Sequence, residues 1–399
     1  MLAGACTQAT STPPTPEPTT PAGPEVAPLP GAIKAPVMGR DAARTHLLAL
    51  RHTHEAGRLQ VLPLRIGSVG LEVAKEIDRP AQPRTDWEGH YAAVVGHDGG
   101  VTWASGEPDG TGWQVVVHTI GGAETRTVAA PLRPAALHVV GGAVVAGADN
   151  TIGWIDIAAE GLAWREIHRR PDMRFKAYDL FARAGEWLIA IDDEVMPMYA
   201  DSFSVDEAGR LTHTQGWSLP GIINGHYTHA ALARSGARDG VLFAVLPYGI
   251  MDGDGQDLAA LKIAGDVLAF DQKVTLNSTR MTDPPVLEEH VSRRTQEPEK
   301  LVAGAEFTAW RGLALHEGRV LLAAGTRGLL VLPQVFTPDT KATAVVVGEE
   351  CRDVLVADGR TWVLVGGRES AVVELAWDGD AAKVRGKTAL AGSYERFVR

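Results

Sequence analysis

Sulfur is scarce in this chain. Its two cysteines, Cys6 and Cys351, stand near opposite ends, so a disulfide framework is excluded and a cysteine-built zinc or iron–sulfur site lacks its ligands. A bridge between them would tie a tail to a distant strand, and Cys351 is expected to be a small buried residue instead. Long apolar runs are missing as well: none approaches the roughly 18 residues of a membrane span. Positive charge is in deficit, with 38 Lys and Arg against 49 Asp and Glu and a formal net charge of −11. Nucleic-acid binding calls for a basic stripe, so that class is set aside. An acidic balance serves solubility first, and cations or basic partners second. Helical periodicity is nearly absent. His46–Arg51 and Val286–Lys300 are the two segments that offer any. Nucleophile elbow, HExxH, P-loop and Rossmann glycine signatures are absent too, so no short motif names a chemistry.

What the chain does have is a repeat. Six times an apolar strand runs into a Gly- or Asp-bearing turn and out into a second apolar strand, at Tyr91–Ser105, Ala136–Ala148, Tyr178–Asp192, Ala230–Pro247, Gly312–Thr326 and Asp353–Gly366. Gly and Asp supply the positive φ that tight hairpins need. Two weaker, more alternating strands follow each hairpin, as in AVVAGA-DNT-IGWIDIA-AEG-LAWREIHRR. Near-continuous apolar runs suit strands covered on both faces, and alternating charged ones suit a rim. A period of about 40 to 50 residues is that of propeller blades. The fold class expected is therefore all-β: a β-propeller of four-stranded blades. Arg58–Arg65 and Leu71–Arg79 read as third and fourth strands, and Tyr394–Arg399 as a first strand, so one blade is shared between the chain ends. Closure of that kind removes two open sheet edges. Six whole repeats and one shared blade make seven, with six blades the alternative. The domain 44–399 is assigned to the propeller. The ten tryptophans are assigned mainly to the core, among them Trp103, Trp113, Trp154, Trp164, Trp187 and Trp362.

Residues 1–43 are different. Small residues lead to Cys6, and a Pro/Thr-dense stretch nearly free of bulky apolar side chains follows. Such a stretch cannot pack a core and reads as an extended tether. The segment 2–6 resembles the processed end of a bacterial lipoprotein, although Ala3 stands where that family prefers Leu. The resemblance implies cleavage before Cys6 and a lipid on its thiol. It also implies a location in the cell envelope, at the outer membrane or cell surface. The hairpin GLALHEGRVLLAAGTRGLLVLP is similar to the repeat of bacterial extracellular propellers rich in Leu-Val-Ile-Val-Asp strand ends. Ile155-Asp156-Ile157 keeps the closing Asp and Leu330-Val331-Leu332-Pro333 does not. That similarity implies fold and location, not an activity.

In a propeller, loops between second and third strands share a face with loops between blades. The long segments of this chain sort onto that face: 106–112, 192–198 and 247–257 within blades, and 169–176, 219–229 and 277–306 between them. Long loops are where function concentrates. The expected binding-face residues are Asp192, Asp193, Glu194, Met196, Met198, His226, His229 and Tyr248. Asp252, Asp254 and Asp257 have spacings that would wrap calcium, but a solvated acidic turn explains them as well, and no cofactor is required. Asp192–Glu194 reads as a solvated strand end before it reads as an acid–base pair. His226 and His229 reach one metal only if their loop curls, because on a strand they face opposite sides. The function expected is a monomeric, non-catalytic binding or scaffold module for a protein or small molecule. The alternative is a propeller hydrolase or lactonase, with a metal held by carboxylates in the central channel.

Overall fold

The computed structural model describes residues 46–398, except 54–57, 81–90, 98–99, 121–124, 141, 158, 172–177, 193–198, 207–208, 220–228, 237–238, 248–254, 278–311, 326–327, 336–341, 347–348, 358, 367–368 and 380. The described residues form seven antiparallel sheets and no helix. Six sheets are simple four-stranded meanders, covering 91–130 (blade 2), 136–169 (blade 3), 178–218 (blade 4), 229–277 (blade 5), 312–345 (blade 6) and 351–389 (blade 7). In blade 1 the C-terminal strand Arg396–Phe397 pairs with His46–Thr53, which pairs with Arg58–Ile66, which carries Leu71–Val73 and Ile77–Pro80. The fold is a seven-bladed β-propeller closed by a blade built from both ends of the chain.

One helix candidate is settled here and one expected loop is corrected. His46–Arg51 is strand, not helix: Leu47, Leu48, Ala49 and Leu50 are all buried, so consecutive side chains are covered on both faces, as in an inner strand. The segment 106–112 is not a loop either. The strand runs to Asp109 and turns over Gly110, whose φ of 59° a tight turn demands. Val286–Lys300 lies outside the described residues.

Strand alternation explains how seven sheets make one body. Along Asp239–Pro247, Leu242 and Ala244 pack into a cluster shared with blade 4, whereas Phe243 and Val245 pack into one shared with blade 6. The core of the described residues is divided in this way into seven clusters, one at each seam between neighbouring blades. Outermost strands lack a second neighbour and stay polar: Ala381–Ala389 exposes most of its side chains. Side chains staple the seams by reaching backbone on the next blade. The Trp154 indole donates to Gly209 O at 3.1 Å, Trp217 to Asp266 O at 3.0 Å, and the Arg126 guanidinium to Ala159 O at 2.9 Å. Trp103, Trp154, Trp187 and Trp362 are buried, while Trp164 precedes its strand and lies across Gly153, where a Cβ would meet its indole at 2.2 Å.

Candidate functional site at the seam of blades 3 and 4

One polar cluster opens toward the blade end from which segments 172–177, 193–198 and 220–228 depart. Arg170 lies one residue past the outermost strand of blade 3, Arg165–Arg169. Tyr178 and Tyr199 each begin a strand of blade 4, and Gly216 and Trp217 stand near the end of another, Leu211–Ser218. Antiparallel pairing puts all of these at one end, with Asp201 opposite Gly216. It is the end the sequence assigns to the long loops.

Asp201 is the centre. Its carboxylate is fully buried, and it points into the seam on the same side of its strand as Phe203 and Val205. Four groups surround it. Arg170 donates from Nε to Oδ2 at 3.0 Å and from Nη2 to Oδ1 at 2.9 Å. The Tyr178 hydroxyl donates to Oδ2. His213 Nε2 lies 2.9 Å from Oδ1, and His168 Nε2 lies 3.6 Å from the same oxygen. Burial by itself would raise the Asp201 pKa. The His168 imidazole, the Arg170 guanidinium and the Tyr178 hydroxyl outweigh burial and hold it well below the usual carboxylate range. Because the carboxylate is ionised and accepts only, His213 Nε2 carries the proton between them. Burial, then the facing carboxylate, pushes the Tyr178 phenol far above its ordinary value.

Two further contacts shape the mouth. The imidazoles of His168 and His213 stack with centroids 4.3 Å apart and planes 14° from parallel. The Arg170 guanidinium stands over the Tyr199 ring at 4.4 Å. Gly216 makes room for the ion pair: a Cβ there would meet Arg170 Nη2 at 2.3 Å and Asp201 Oδ1 at 2.7 Å. Exposure falls inward, from 37% for the His213 side chain to 16% for His168, 15% for Arg170 and none for Asp201.

A second set of chemically suggestive residues is sealed. Ser105, Glu107 and His118 are buried in blade 2, with the Ser105 hydroxyl 2.7 Å from Glu107 Oε1 and 3.0 Å from His118 Nε2. A Ser–His–acid triad needs the acid on Nδ1 of the imidazole. Here the Glu107 carboxylate sits on the Nε2 side, 3.6 Å away, and Trp103 covers the ring at 3.9 Å. This set is a satisfied core network rather than a nucleophile.

Of the residues expected on the binding face, Asp192 is buried rather than solvated, paired in register with Tyr178 and Tyr199. It closes a strand whose other five residues are also buried, so the carboxylate goes in with them. His229 opens the inner strand of blade 5 and Asp257 lies in its third strand, their side chains outside the described set. Asp193, Glu194, Met196, Met198, His226, Tyr248, Asp252 and Asp254 lie outside the described residues, as do Cys6 and the tether. Cys351 is buried and its thiol is pushed up to about 12, first by burial and then by Glu349 and Glu350.

No protein-family model matches the chain, and no curated protein matches it in sequence. Solved structures do resemble it. A protein from Lactobacillus plantarum aligns with a TM-score of 0.55 at 14% identity, over 88% of this chain and 98% of that one. Hsv2p of Kluyveromyces lactis aligns at 0.44 and 10% identity over 86% and 98% of the two chains. The Cps50 (Swd1) β-propeller domain of Myceliophteria thermophila aligns at 0.45 and 11% over 82% and 94%. At 14% identity the likeness to the Lactobacillus plantarum protein extends to the fold and no further.

Proposed function

We propose that this chain is a non-catalytic binding or scaffold propeller of the bacterial cell envelope, tethered by a lipid on Cys6, with its ligand face at the blade end that carries the long segments. The observation behind the choice of face is the Arg170–Tyr199–His213 mouth. Partly exposed polar groups gather there around a buried carboxylate, which pre-orients Arg170 for contact at little entropic cost. The non-catalytic reading draws support from the Ser105–His118–Glu107 set, whose geometry and burial suit structure. The hydrolase alternative wants metal ligands along the central channel. The metal-capable group among the described residues stands instead on third and outermost strands, away from the inner strands that line a channel. The lipid would be joined by a second membrane signal, since one acyl chain binds a bilayer marginally.

Both parts are open to test. In detergent-phase partitioning of bacterial cells, the wild-type chain enters the detergent phase and Cys6→Ser stays aqueous. Equal partitioning of the two removes the anchor. For the face, a photo-crosslinking residue replaces Tyr199 in one variant and the exposed Lys383, at the opposite blade end, in another. Adducts in intact cells from position 199 alone support the reading, and adducts from 383 alone, or equally from both, refute it.

A further inference from the structure

We infer that His168, Asp201 and His213 form a binding site for one divalent transition-metal ion of the zinc class, set between the outer strands of blades 3 and 4. The inference concerns this cluster's own chemistry and does not rest on the lipid anchor or on a partner at the loop face.

Three observations carry it. The first is the donor set. Two imidazole nitrogens and a carboxylate oxygen lie within 4.8 Å of one another, on strands brought together from two blades. Tetrahedral zinc holds such donors at about 2.0–2.2 Å, which places them roughly 3.3 Å apart. His213 Nε2 and His168 Nε2, at 2.9 and 3.6 Å from Asp201 Oδ1, bracket that separation. The second is His168 Nε2, which is buried 3.6 Å from Asp201 Oδ1, close enough to act on its charge but beyond hydrogen-bond reach, and has no hydrogen-bond partner. A buried nitrogen left so costs about 1–3 kcal/mol, and a metal bond would satisfy it. The third is the support behind the carboxylate. Arg170 and Tyr178 fix its plane, as outer partners do for metal-bound carboxylates.

One element has to move. A σ lone pair lies in the plane of its imidazole, and two nearly parallel rings cannot both aim at one ion. His213 is the ring free to turn, being the more exposed of the two and standing on an outermost strand. In the metal-free protein its Nε2–H bridges to Asp201 Oδ1. The metal takes the place of that proton: Nε2 gives its proton up as Nδ1 takes one from solvent, so the ring stays a neutral imidazole and no redox step is involved. The fourth position faces the mouth beside Arg170, where water or an anionic donor completes the coordination.

The experiment uses the purified full chain, stripped with chelator and dialysed against Zn²⁺, with Co²⁺ as the spectroscopic probe. The expected result is one ion per chain, a tetrahedral-type Co²⁺ band, and an unfolding temperature raised by about 3–4 °C at free metal 100-fold above Kd. His213→Ala, on an exposed edge, keeps its near-ultraviolet circular dichroism and loses at least about tenfold in affinity, the loss seen even for a ligand's supporting partner. His168→Gln loses it likewise. His226→Ala/His229→Ala, at the other histidine pair, keeps it. Failure of the wild-type chain to take up a stoichiometric ion overturns the inference, and so does undiminished binding by His213→Ala.

Discussion

Removing the aromatic ring of Phe397 tests whether the shared blade holds the ring closed. Phe397 is 2% exposed and belongs to a cluster that includes Leu47, Leu62 and Leu64 of blade 1 and Leu355 and Trp362 of blade 7. Its strand is two residues long, pairing Ala49 with Phe397 and Leu50 with Arg396. Its backbone is tied by bonds that the ring does not make: Phe397 N–H to the Asp353 carboxylate Oδ2 at 2.7 Å, Val398 N–H to Leu48 O at 2.9 Å and Glu395 N–H to Leu50 O at 2.7 Å. Phe397→Ala leaves all three in place and removes only the buried ring, so its cost is a transfer-plus-cavity cost of about 3–5 kcal/mol. That is a large share of the roughly 5–15 kcal/mol that holds a typical domain folded. Phe397→Leu keeps most of the volume and costs less than about 1.5 kcal/mol.

The assay is urea unfolding followed by tryptophan fluorescence, because Trp362 sits in the same cluster and is 1% exposed. With a slope of about 3 kcal/mol/M, at the top of the small-protein range, Phe397→Ala lowers the midpoint by about 1–1.7 M. Limited proteolysis in native buffer should show new cuts in His46–Thr53, the strand that Phe397 covers. A midpoint drop below about 0.3 M would falsify the claim that this seam holds the ring shut. Equal losses for Phe397→Leu and Phe397→Ala would show that volume is not what matters there.

Gly216→Ala should destabilise by about 1–3 kcal/mol, since its Cβ collides with the Arg170–Asp201 pair. Gly386→Ala, with open space around its Cβ, should be neutral or stabilise by up to about 1 kcal/mol in the same denaturation series. Asp201→Asn leaves Arg170 without its counter-charge and should cost about 3–5 kcal/mol at neutral pH. Because the folded-state pKa of Asp201 is depressed, that stability is fully present above the unfolded value of about 3.9 and is lost as pH falls toward the folded one. The gap between wild type and Asp201→Asn in urea midpoints should therefore hold from pH 7 to 5 and narrow below about pH 4. A constant gap would remove the carboxylate's charge from the explanation.

The architecture was legible because it is written in strong local signals. Apolar hairpins with Gly and Asp turns recur at blade spacing, and the sequence locates all six of them and both ends of the closing blade. His46–Arg51 stayed ambiguous because HLLALR supports a helical turn or an inner strand equally well, and only its pairing with Arg58–Ile66 and Arg396–Phe397 decides between them. The cluster around Asp201 was not legible. Its members come from four strands and two blades, so no local spacing connects them. REIHRR and LTHTQGWS read as the polar rim that outermost strands normally present. One signal stood in the open: YADSFSV places an Asp in step with Phe203 and Val205, on a side of the strand that should be apolar.

That signal generalises within this chain. Strand alternation sends every second residue into a seam, so an acid in step with apolar neighbours must find partners there or unfold its blade. Glu107 follows Trp103 and Ser105 into the seam of blades 1 and 2, where Ser105 and His118 meet it. Glu374 follows Val372 into the seam of blades 7 and 1, where Arg360 and Arg385 hold it at 2.8 and 3.1 Å. In both cases the acid's partners account for it, and structure is a sufficient explanation. Asp201 is paired as fully by Arg170 and Tyr178 as either of these, yet two imidazoles crowd the same oxygen beyond what charge balance requires. One of them has a buried nitrogen without a hydrogen bond. Fold stability does not call for that surplus, and donors in excess of structural need are what a bound ligand would explain.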